Sequence, residues 1–375
     1  MAVLTEEQSM IRDGAKAWVQ EKSPVTAFRK VRDSGNEDGF DKAAWKEMAE
    51  MGWAGIIIPE EFGGTGLGYL TLGLVLEETG RTLTASPLIS TALTATTALL
   101  LGGSDAQKQK YLPQIAEGKI VATLAVDEGP HHAPEKVAMT ATKSGAGYKL
   151  SGSKKFVMDG GSADLLIVAA RTSGKAGEKK GITLFLVDGN ASGLSREKLK
   201  SVDSRGYANL TLKDVDAEVL GTVDGGFEVL DATLDRARAG LAAEMLGSCA
   251  QSFDITLDYL KTRVQFGQLI GSFQALQHRA AKMFTDLELT RSCVEGALAA
   301  IDKNANDVAQ LASLAKAKAS DLDHLVSNEM VQMHGGIGMT DAHDAGLYLK
   351  RARVAEATFG NSAFHRDRYA TLLGY

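Results

Sequence analysis

Apolar side chains recur at Phe227, Leu230, Leu234, Leu241, Met245, Phe253, Leu257 and Leu260, at spacings of three or four and their sums. That is one face of a helix of about 35 residues, and helices of that length belong to bundles. The gaps in the stripe at 238 and 249 hold Arg238 and Cys249. Further helical patterns cover 274–303, 306–333 and 344–358. Upstream the period shortens. Residues 119–126, 148–152, 155–160, 164–170 and 181–187 are short apolar or alternating runs bounded by turn residues. With no helical pattern between them they predict an antiparallel β domain, and 172–180 reads as an exposed loop. Helical patterns return toward the N-terminus. Thr5 with Gln8 three residues on is a capping box that predicts a helix start at Thr5. Others cover 41–51, the stretch from Leu72, a small-residue helix over 87–101, and 107–116. Residues 55–68 read as a short apolar run followed by a glycine-rich loop. The fold class is therefore α+β: a helical domain over 1–120, a β domain over 121–222 and a helical bundle over 223–375.

Composition narrows the class. The chain has 375 residues, 44% hydrophobic and 23% charged, which suits a folded chain of two or three domains of about 150 residues each. Two cysteines, Cys249 and Cys293, are too few for a disulfide scaffold. Forty-one basic against 47 acidic residues gives a net charge of −6, so nothing calls for nucleic acid. The opening Met-Ala-Val-Leu-Thr-Glu-Glu-Gln lacks a basic stretch leading into an apolar one, so no secretory signal is expected. The most apolar window, 88–101, is broken by Ser90 and four threonines, short of the ~20 apolar residues of a membrane span. A cytoplasmic enzyme is expected.

The strongest catalytic signatures are missing. No G-x-G-x-x-G follows a strand, and there is no P-loop, H-E-x-x-H, C-x-x-C or G-x-S-x-G. His131-His132 could bind a metal, but no Cys or carboxylate cluster accompanies the pair, so no metal is expected. Three stretches remain. Tyr259-Leu-Lys-Thr-Arg263-Val-Gln-Phe266-Gly267 runs on to Gln274. Gln332-Met-His-Gly335-Gly336-Ile-Gly follows later, and Gly152-Ser-Lys-Lys-Phe156-Val-Met158-Asp-Gly160 lies in the β segment. An arginine and a glycine turn at a helix end suit a phosphate, through a bidentate cation and free backbone N–H groups. Read alone, each is equally a surface salt-bridge residue or a helix stop.

Taken together and in this order, the stretches resemble the FAD-dependent acyl-CoA dehydrogenase family. Ile58-Pro59-Glu60-Glu61-Phe-Gly-Gly-Thr-Gly, Glu77-Glu78-Thr-Gly-Arg81, Lys108-Gln-Lys-Tyr-Leu-Pro113 and Gly225-Gly226-Phe227 extend the likeness over nearly the whole chain. The resemblance implies a helical N-terminal domain, a barrel-like β domain and a C-terminal four-helix bundle. It implies α,β-dehydrogenation of an acyl-CoA thioester, in which a carboxylate takes the α-proton while a hydride leaves Cβ for the flavin. Leu124, Val126, Phe156 and Met158 would line the isoalloxazine. Arg263, Phe266, Gln274, Gln332, Gly335 and Gly336 would reach the diphosphate and adenosine half across a subunit interface, with Asn361 a further FAD contact. The resemblance also implies an electron-transfer flavoprotein as acceptor and a homotetramer or α2β2 heterotetramer.

Two departures stand out. After the flavin strand the family has a Thr-Glu-Pro then Gly-Ser-Asp pattern, whereas this chain reads Asp127-Glu128-Gly-Pro-His-His-Ala-Pro134. The family's usual base, a Glu directly before a Gly, is matched by Phe359-Gly360, and the alternative base position on the long helix by Ala237. Neither can accept a proton. Glu244, seven residues after Ala237, lies along the same line of the helix, and burial of such a carboxylate suits a base. It is the candidate catalytic residue, against a role as ion-pair partner of an Arg such as Arg238. Glu356 is a weaker candidate. The segment Phe359-Gly-Asn361-Ser-Ala-Phe-His365-Arg366 resembles a bacterial subgroup that forms two-subunit complexes and handles bulky, including steroid-derived, CoA esters in lipid or steroid catabolism. The alternative reading is thus an FAD-binding partner subunit without its own base.

Overall fold

The computed structural model describes residues 4–375; the opening Met-Ala-Val, part of the stretch expected to lack a signal, lies outside them. Helices precede the sheet: α1 (Glu6–Lys22), α2 (Val25–Asp33), α3 (Lys42–Glu50), α4 (Gly68–Arg81), α5 (Thr96–Gly102) and α6 (Asp105–Ala116). Seven strands follow: β1 (Ala122–Ala125), β2 (Thr140–Ser144), β3 (Gly147–Met158), β4 (Leu165–Arg171), β5 (Ile182–Asp188), β6 (Leu194–Lys200) and β7 (Gly206–Leu220). The C-terminal part holds α7 (Gly226–Thr262), the hairpin β8 (Val264–Gln265) and β9 (Gln268–Leu269), then α8 (Gln274–Asp302), α9 (Val308–His334), α10 (Ala345–Ala357) and α11 (Ser362–Leu372). Among the described residues no helix is long and apolar enough to cross a membrane.

The Thr5 capping box forms: its hydroxyl accepts the Gln8 N–H at 3.1 Å and the Gln8 side chain accepts the Thr5 N–H at 3.1 Å. Ser104 and Gln107 cap α6 in the same way, and the Gln107 amide reaches on to the Val219 carbonyl at 2.9 Å.

Compactness groups the chain into two units that cut across the three sequence segments. One unit comprises residues 30–72 and 85–237. Its strands pair in a ring, β4–β2–β3–β7–β5 and back to β4, with β1 on β4 and β6 on β7. Most pairings are antiparallel as expected, but β1–β4 and β2–β4 are parallel. The hairpin β2–β3 is inserted between β1 and β4, so those two are not joined by a tight turn and need not run antiparallel. The apolar window differs from expectation as well. Residues 88–95 form a buried π-helix that only then tightens into α5. Thr94 Oγ1 donates to the Ile89 carbonyl at 2.7 Å and Thr96 Oγ1 to that of Thr91 at 2.9 Å, each five residues back. Those hydroxyls occupy carbonyls that an α-helical ladder would also use.

The other unit comprises residues up to 29, 73–84 and 238–375. Here α9 packs on α8, α10 and α11. The expected stripe on α7 becomes burial on every side from Arg238 to Ala250, so Arg238, Glu244 and Cys249 all sit inside. Gly80 on α4 and Gly247 on α7 let the two helices touch backbone to backbone. A methyl group at Gly80 would overlap the Glu244 carbonyl, and one at Gly247 that of Glu77.

Candidate active site

In the β-containing unit the strand expected to face the flavin is anchored from behind. Thr91 Oγ1 donates to the Ala122 carbonyl at 2.9 Å and accepts its N–H at 3.0 Å. Thr123 donates to the Met158 carbonyl at 2.7 Å, joining β1 to β3. Alternation along β1 then turns Leu124, and Val126 just beyond it, to the opposite face from Thr123. Leu124, Val126 and Met158 are buried, while Phe156 is 57% exposed. Phe156 sits in a register shift of β3 with φ 51°, and its N–H donates to Asn209 Oδ1 at 3.3 Å.

The stretch that departs from the family pattern closes on itself. Buried Lys154 donates to the Val126 carbonyl at 2.9 Å and to Glu128 Oε1 at 2.7 Å, and Glu128 also accepts the N–H groups of Ala138 and Met139. Burial pushes the Lys154 ammonium below its ordinary pKa against the pull of Glu128. Asp127 takes His132 Nδ1 at 2.8 Å and the Ala133 N–H at 3.0 Å. Burial works to raise the Asp127 pKa, but His132, the Ala133 N–H and Lys154 outweigh it and hold the carboxyl below its ordinary value. His132 therefore serves a carboxylate. Among the described residues no group of three or more His, Cys, Asp or Glu could hold a metal ion.

In the helical unit the two glycine-bearing motifs meet. The rings of Tyr259, one turn before Arg263, and His334, just before Gly335, lie 4.4 Å apart, and the His343 ring lies 4.2 Å from that of His334, tilted by 42°. His334 is buried and bonds through Nδ1 to the Met330 carbonyl, 2.7 Å away, while its Nε2 has no hydrogen-bond partner. Burial lowers its pKa, so the ring favours the neutral form. After Arg263 the β8–β9 hairpin turns on Phe266 (φ 55°) and Gly267 (φ 77°), the pair of positive φ angles a two-residue type I′ turn needs. Phe266 is 91% exposed and meets Phe273 edge-on at 6.1 Å, directly before Gln274. Around these contacts Arg263, Phe266, Gln274, Gly335 and Gly336 are exposed, and so is Gln332. Gly335 has φ 61° and ψ −136°, a conformation reserved for glycine, and a Cβ at Gly335 or Gly336 would meet nothing within 4 Å. That open, side-chain-free turn beside an exposed arginine and an exposed aromatic ring fits a diphosphate and adenine. Asn361 acts locally, its side chain capping α11 by accepting the Phe364 N–H at 2.9 Å.

The proton-abstracting group is the remaining question. Ala237 is buried. Glu244 is 5% exposed, and its carboxylate lies 3.9 Å from the guanidinium of Arg351, itself buried on α10. Arg351 is thus one arginine that faces Glu244. Arg238, also buried, donates from Nε to the Phe359 carbonyl at 3.3 Å. Glu356 is taken up by Arg353 at 2.5 Å. Phe359 has φ 56° and is partly exposed. Three phenylalanines of this chain, at 156, 266 and 359, carry positive φ, and all three fall in the stretches singled out from sequence. Strained backbone of this kind gathers at functional sites. Of the residues that sequence reasoning missed, Tyr259 and His334 lay within the quoted motifs, whereas nothing in the pattern marked Arg351.

Comparison with known proteins bears on the family and the fold. Family models for the N-terminal, middle and C-terminal domains of acyl-CoA dehydrogenase match residues 5–119, 127–215 and 224–373. Isovaleryl-CoA dehydrogenase of Pongo abelii is 34% identical over 380 residues, covering 97% of this chain and 88% of that protein. The butyryl-CoA dehydrogenase structure from Megasphaera elsdenii superposes with a TM-score of 0.91 at 26% identity, over 100% of this chain and 99% of that one. A structure described as the Tcur3481-Tcur3483 steroid ACAD G363A variant gives 0.90 at 32% identity, over 98% of both chains.

Proposed function

The chain belongs to the acyl-CoA dehydrogenase family, an FAD-dependent oxidoreductase, and from that premise we propose that it is the flavin-binding partner in a two-chain acyl-CoA dehydrogenase whose α-proton base comes from a related subunit. The observation that carries this is Phe359, which occupies the position from which the family presents its glutamate. Bound FAD supplies the hydride acceptor. On this chain Leu124, Val126, Phe156 and Met158 would hold the isoalloxazine. Arg263, Phe266, Gln274, Gln332, Gly335 and Gly336 would hold the diphosphate and adenosine, with Asn361 nearby. Buried apolar side chains on β1 and β3 keep water from the reacting carbons, and the Arg263 guanidinium offsets phosphate charge.

The exposed Phe266 supports an assembly, since a strained aromatic ring at a hairpin tip gains nothing from solvent. An α2β2 heterotetramer suits the missing base better than a homotetramer. An electron-transfer flavoprotein is the proposed acceptor and the cytoplasm the proposed compartment. Bulky acyl groups, steroid-derived ones included, are the proposed substrates, on the likeness to a structure described as a steroid ACAD.

A second reading keeps the base on this chain as Glu244, a buried carboxylate on the longest helix. Against it, a base needs an approach of about 3 Å to the α-proton, and Glu244 is engaged by Arg351 beside the α4 contact. Anaerobic visible spectra of the chain, taken with a panel of acyl-CoA esters, separate the two. We expect a bound flavin that the esters leave oxidised until a related subunit is added. Bleaching by the chain alone, abolished by Glu244→Gln with FAD retained, would establish the second reading.

A further inference from the structure

The motif Glu77-Glu78-Thr-Gly-Arg81 enters neither the flavin contacts nor the search for a base. It ends α4, and its charged side chains line a cavity of about 520 Å3 together with side chains of α1 and α8. That volume suits a small-molecule site, but apart from Leu4 and Leu74 the lining is polar. Four cations and four carboxylates contribute to it, so the cavity as a whole is neutral.

Much of this charge is spent within the chain. Arg291 of α8 holds Glu77 at 2.5 Å and reaches Glu288 at 3.4 Å, and Arg12 of α1 holds Asp13 at 2.9 Å. The floor differs. Glu78 is 5% exposed, and its Oε2 lies 3.5 Å from Arg81 Nε. Both atoms are buried, and among the described residues neither has a hydrogen-bond partner. Buried polar groups left in that state are costly. Burial pushes the Glu78 carboxyl above its ordinary pKa against the pull of Arg81, Lys16 and Arg12, and Glu77 adds to the rise. At the rim stands the exposed ammonium of Lys16. The end of α4 is fixed from behind. Tyr348 Oη donates to the Arg81 carbonyl at 2.5 Å, and Gly80 packs against the backbone of α7 at Glu244. The floor is therefore preorganised.

Charge decides what would match such a cavity. An anion alone would meet Glu78, and a cation alone would meet Arg81 and Lys16. A ligand carrying an ammonium and a carboxylate gives both floor groups a partner and keeps the cavity neutral. We propose that this cavity is a second ligand site, which binds a small zwitterion of the α-amino-acid type with its ammonium on Glu78 and its carboxylate on Arg81 and Lys16. None of these residues is among the proposed flavin contacts, so the inference stands apart from the proposed function.

The test is titration calorimetry of the full chain carrying its FAD, with the common L-amino acids and with acetate and methylammonium as half-ligands. At least one amino acid should bind with a Kd of about 1 mM or tighter, and each half-ligand at least about 10-fold more weakly. Glu78→Gln should lose about 10-fold or more of that affinity. Lys16→Gln, at an exposed position, should lose about 3-fold and stands in if the Glu78 variant fails to fold. Facing Glu78 are Arg81 and Glu77 of α4, Lys16 and Arg12 of α1, and Arg291 and Glu295 of α8. An arriving ammonium displaces the proton that burial favours on Glu78. Wild-type affinity should therefore climb as pH rises from the ordinary carboxyl value of 4.5 and then level off, and that of Glu78→Gln should not. Flavin content, read from the visible spectrum, should stay the same in both variants. No binding by any amino acid at about 10 mM leaves the cavity to water and overturns the proposal. Acetate or methylammonium binding as tightly as the amino acid overturns the zwitterion. Affinity indifferent to both substitutions places the ligand elsewhere and overturns the site.

Discussion

Phe359 and Phe266 hold the same left-handed backbone, at φ 56° and 55°, but with opposite kinds of support. Three donors from the chain itself grip the carbonyls around Phe359. Phe266 stands at a hairpin tip with an edge-on ring contact to Phe273. Strain of about 1–3 kcal/mol persists only where surroundings over-determine it. At Phe359 those surroundings are Lys316, Arg238 and His365. At Phe266 the chain supplies no such clamp, which is what a residue completed by FAD and a second subunit should look like. On the proposed function, one strained turn belongs to the folded chain and the other to its assembly.

The comparison is best attacked through the buried cations. Arg351→Met should cost most, about 3–5 kcal/mol in urea unfolding, because it takes a facing cation away from the buried Glu244 carboxylate. It serves as the control: backbone amides of the α10–α11 link should keep their hydrogen-exchange protection, since the clamp is made by Lys316, Arg238 and His365. Lys316→Met should cost less, about 2 kcal/mol. It leaves the Glu356 and Gly360 carbonyls without their donor but relieves the burial of a charge. Here the link itself should lose protection. If the two variants loosen the link equally, the clamp is no more than general packing and the contrast with Phe266 collapses.

The pH dependence of stability sharpens the same point. Burial pushes the Asp323 carboxyl up to about 7, with the Cys249 thiol 3.4 Å away as its hydrogen-bond donor. Burial pushes the neighbouring Lys316 ammonium down to about 7. A raised carboxyl pKa means the folded state binds the extra proton, so the stability from Asp323 is complete below about pH 4 and drains away as pH rises through 7. The depressed lysine does the reverse above 7, where losing its proton relieves a buried charge. Asp323→Asn should therefore gain on wild type between about pH 4.5 and 7 by more than about 1 kcal/mol, roughly one pKa unit's worth. Urea midpoints that run parallel across that range would count against a cation and carboxyl poised together beneath the link.

How much of this was legible in the sequence follows from what kind of force sets each feature. The Thr5 cap, the span of α7, and the two motifs around Arg263 and Gly335 are local patterns, and they folded where the pattern put them. Strands β6 and β7 were missed because charge interrupts their apolar alternation. β6 reads Leu-Ser-Arg-Glu-Lys-Leu-Lys, a solvated strand paired on one side. The π-helix was invisible because it depends on threonine hydroxyls choosing carbonyls five residues back. The contact of Glu244 with Arg351 was invisible for a different reason. Arg351 lies far along the chain on α10, and only tertiary packing brings it to the carboxylate.

The smallest expected effect tests the exposed half of the comparison. Phe266→Asn keeps the turn but replaces a ring that dislikes positive φ with a residue that tolerates it. Because Phe266 contributes little packing within the chain, the variant should be more stable by up to about 1 kcal/mol. The same change should weaken FAD retention and subunit association, measured by flavin loss on gel filtration and by sedimentation. Opposite signs in the two measurements are what a residue strained for the sake of its assembly predicts. A variant that loses stability while keeping its flavin would place Phe266 with Phe359, as part of the chain's own packing.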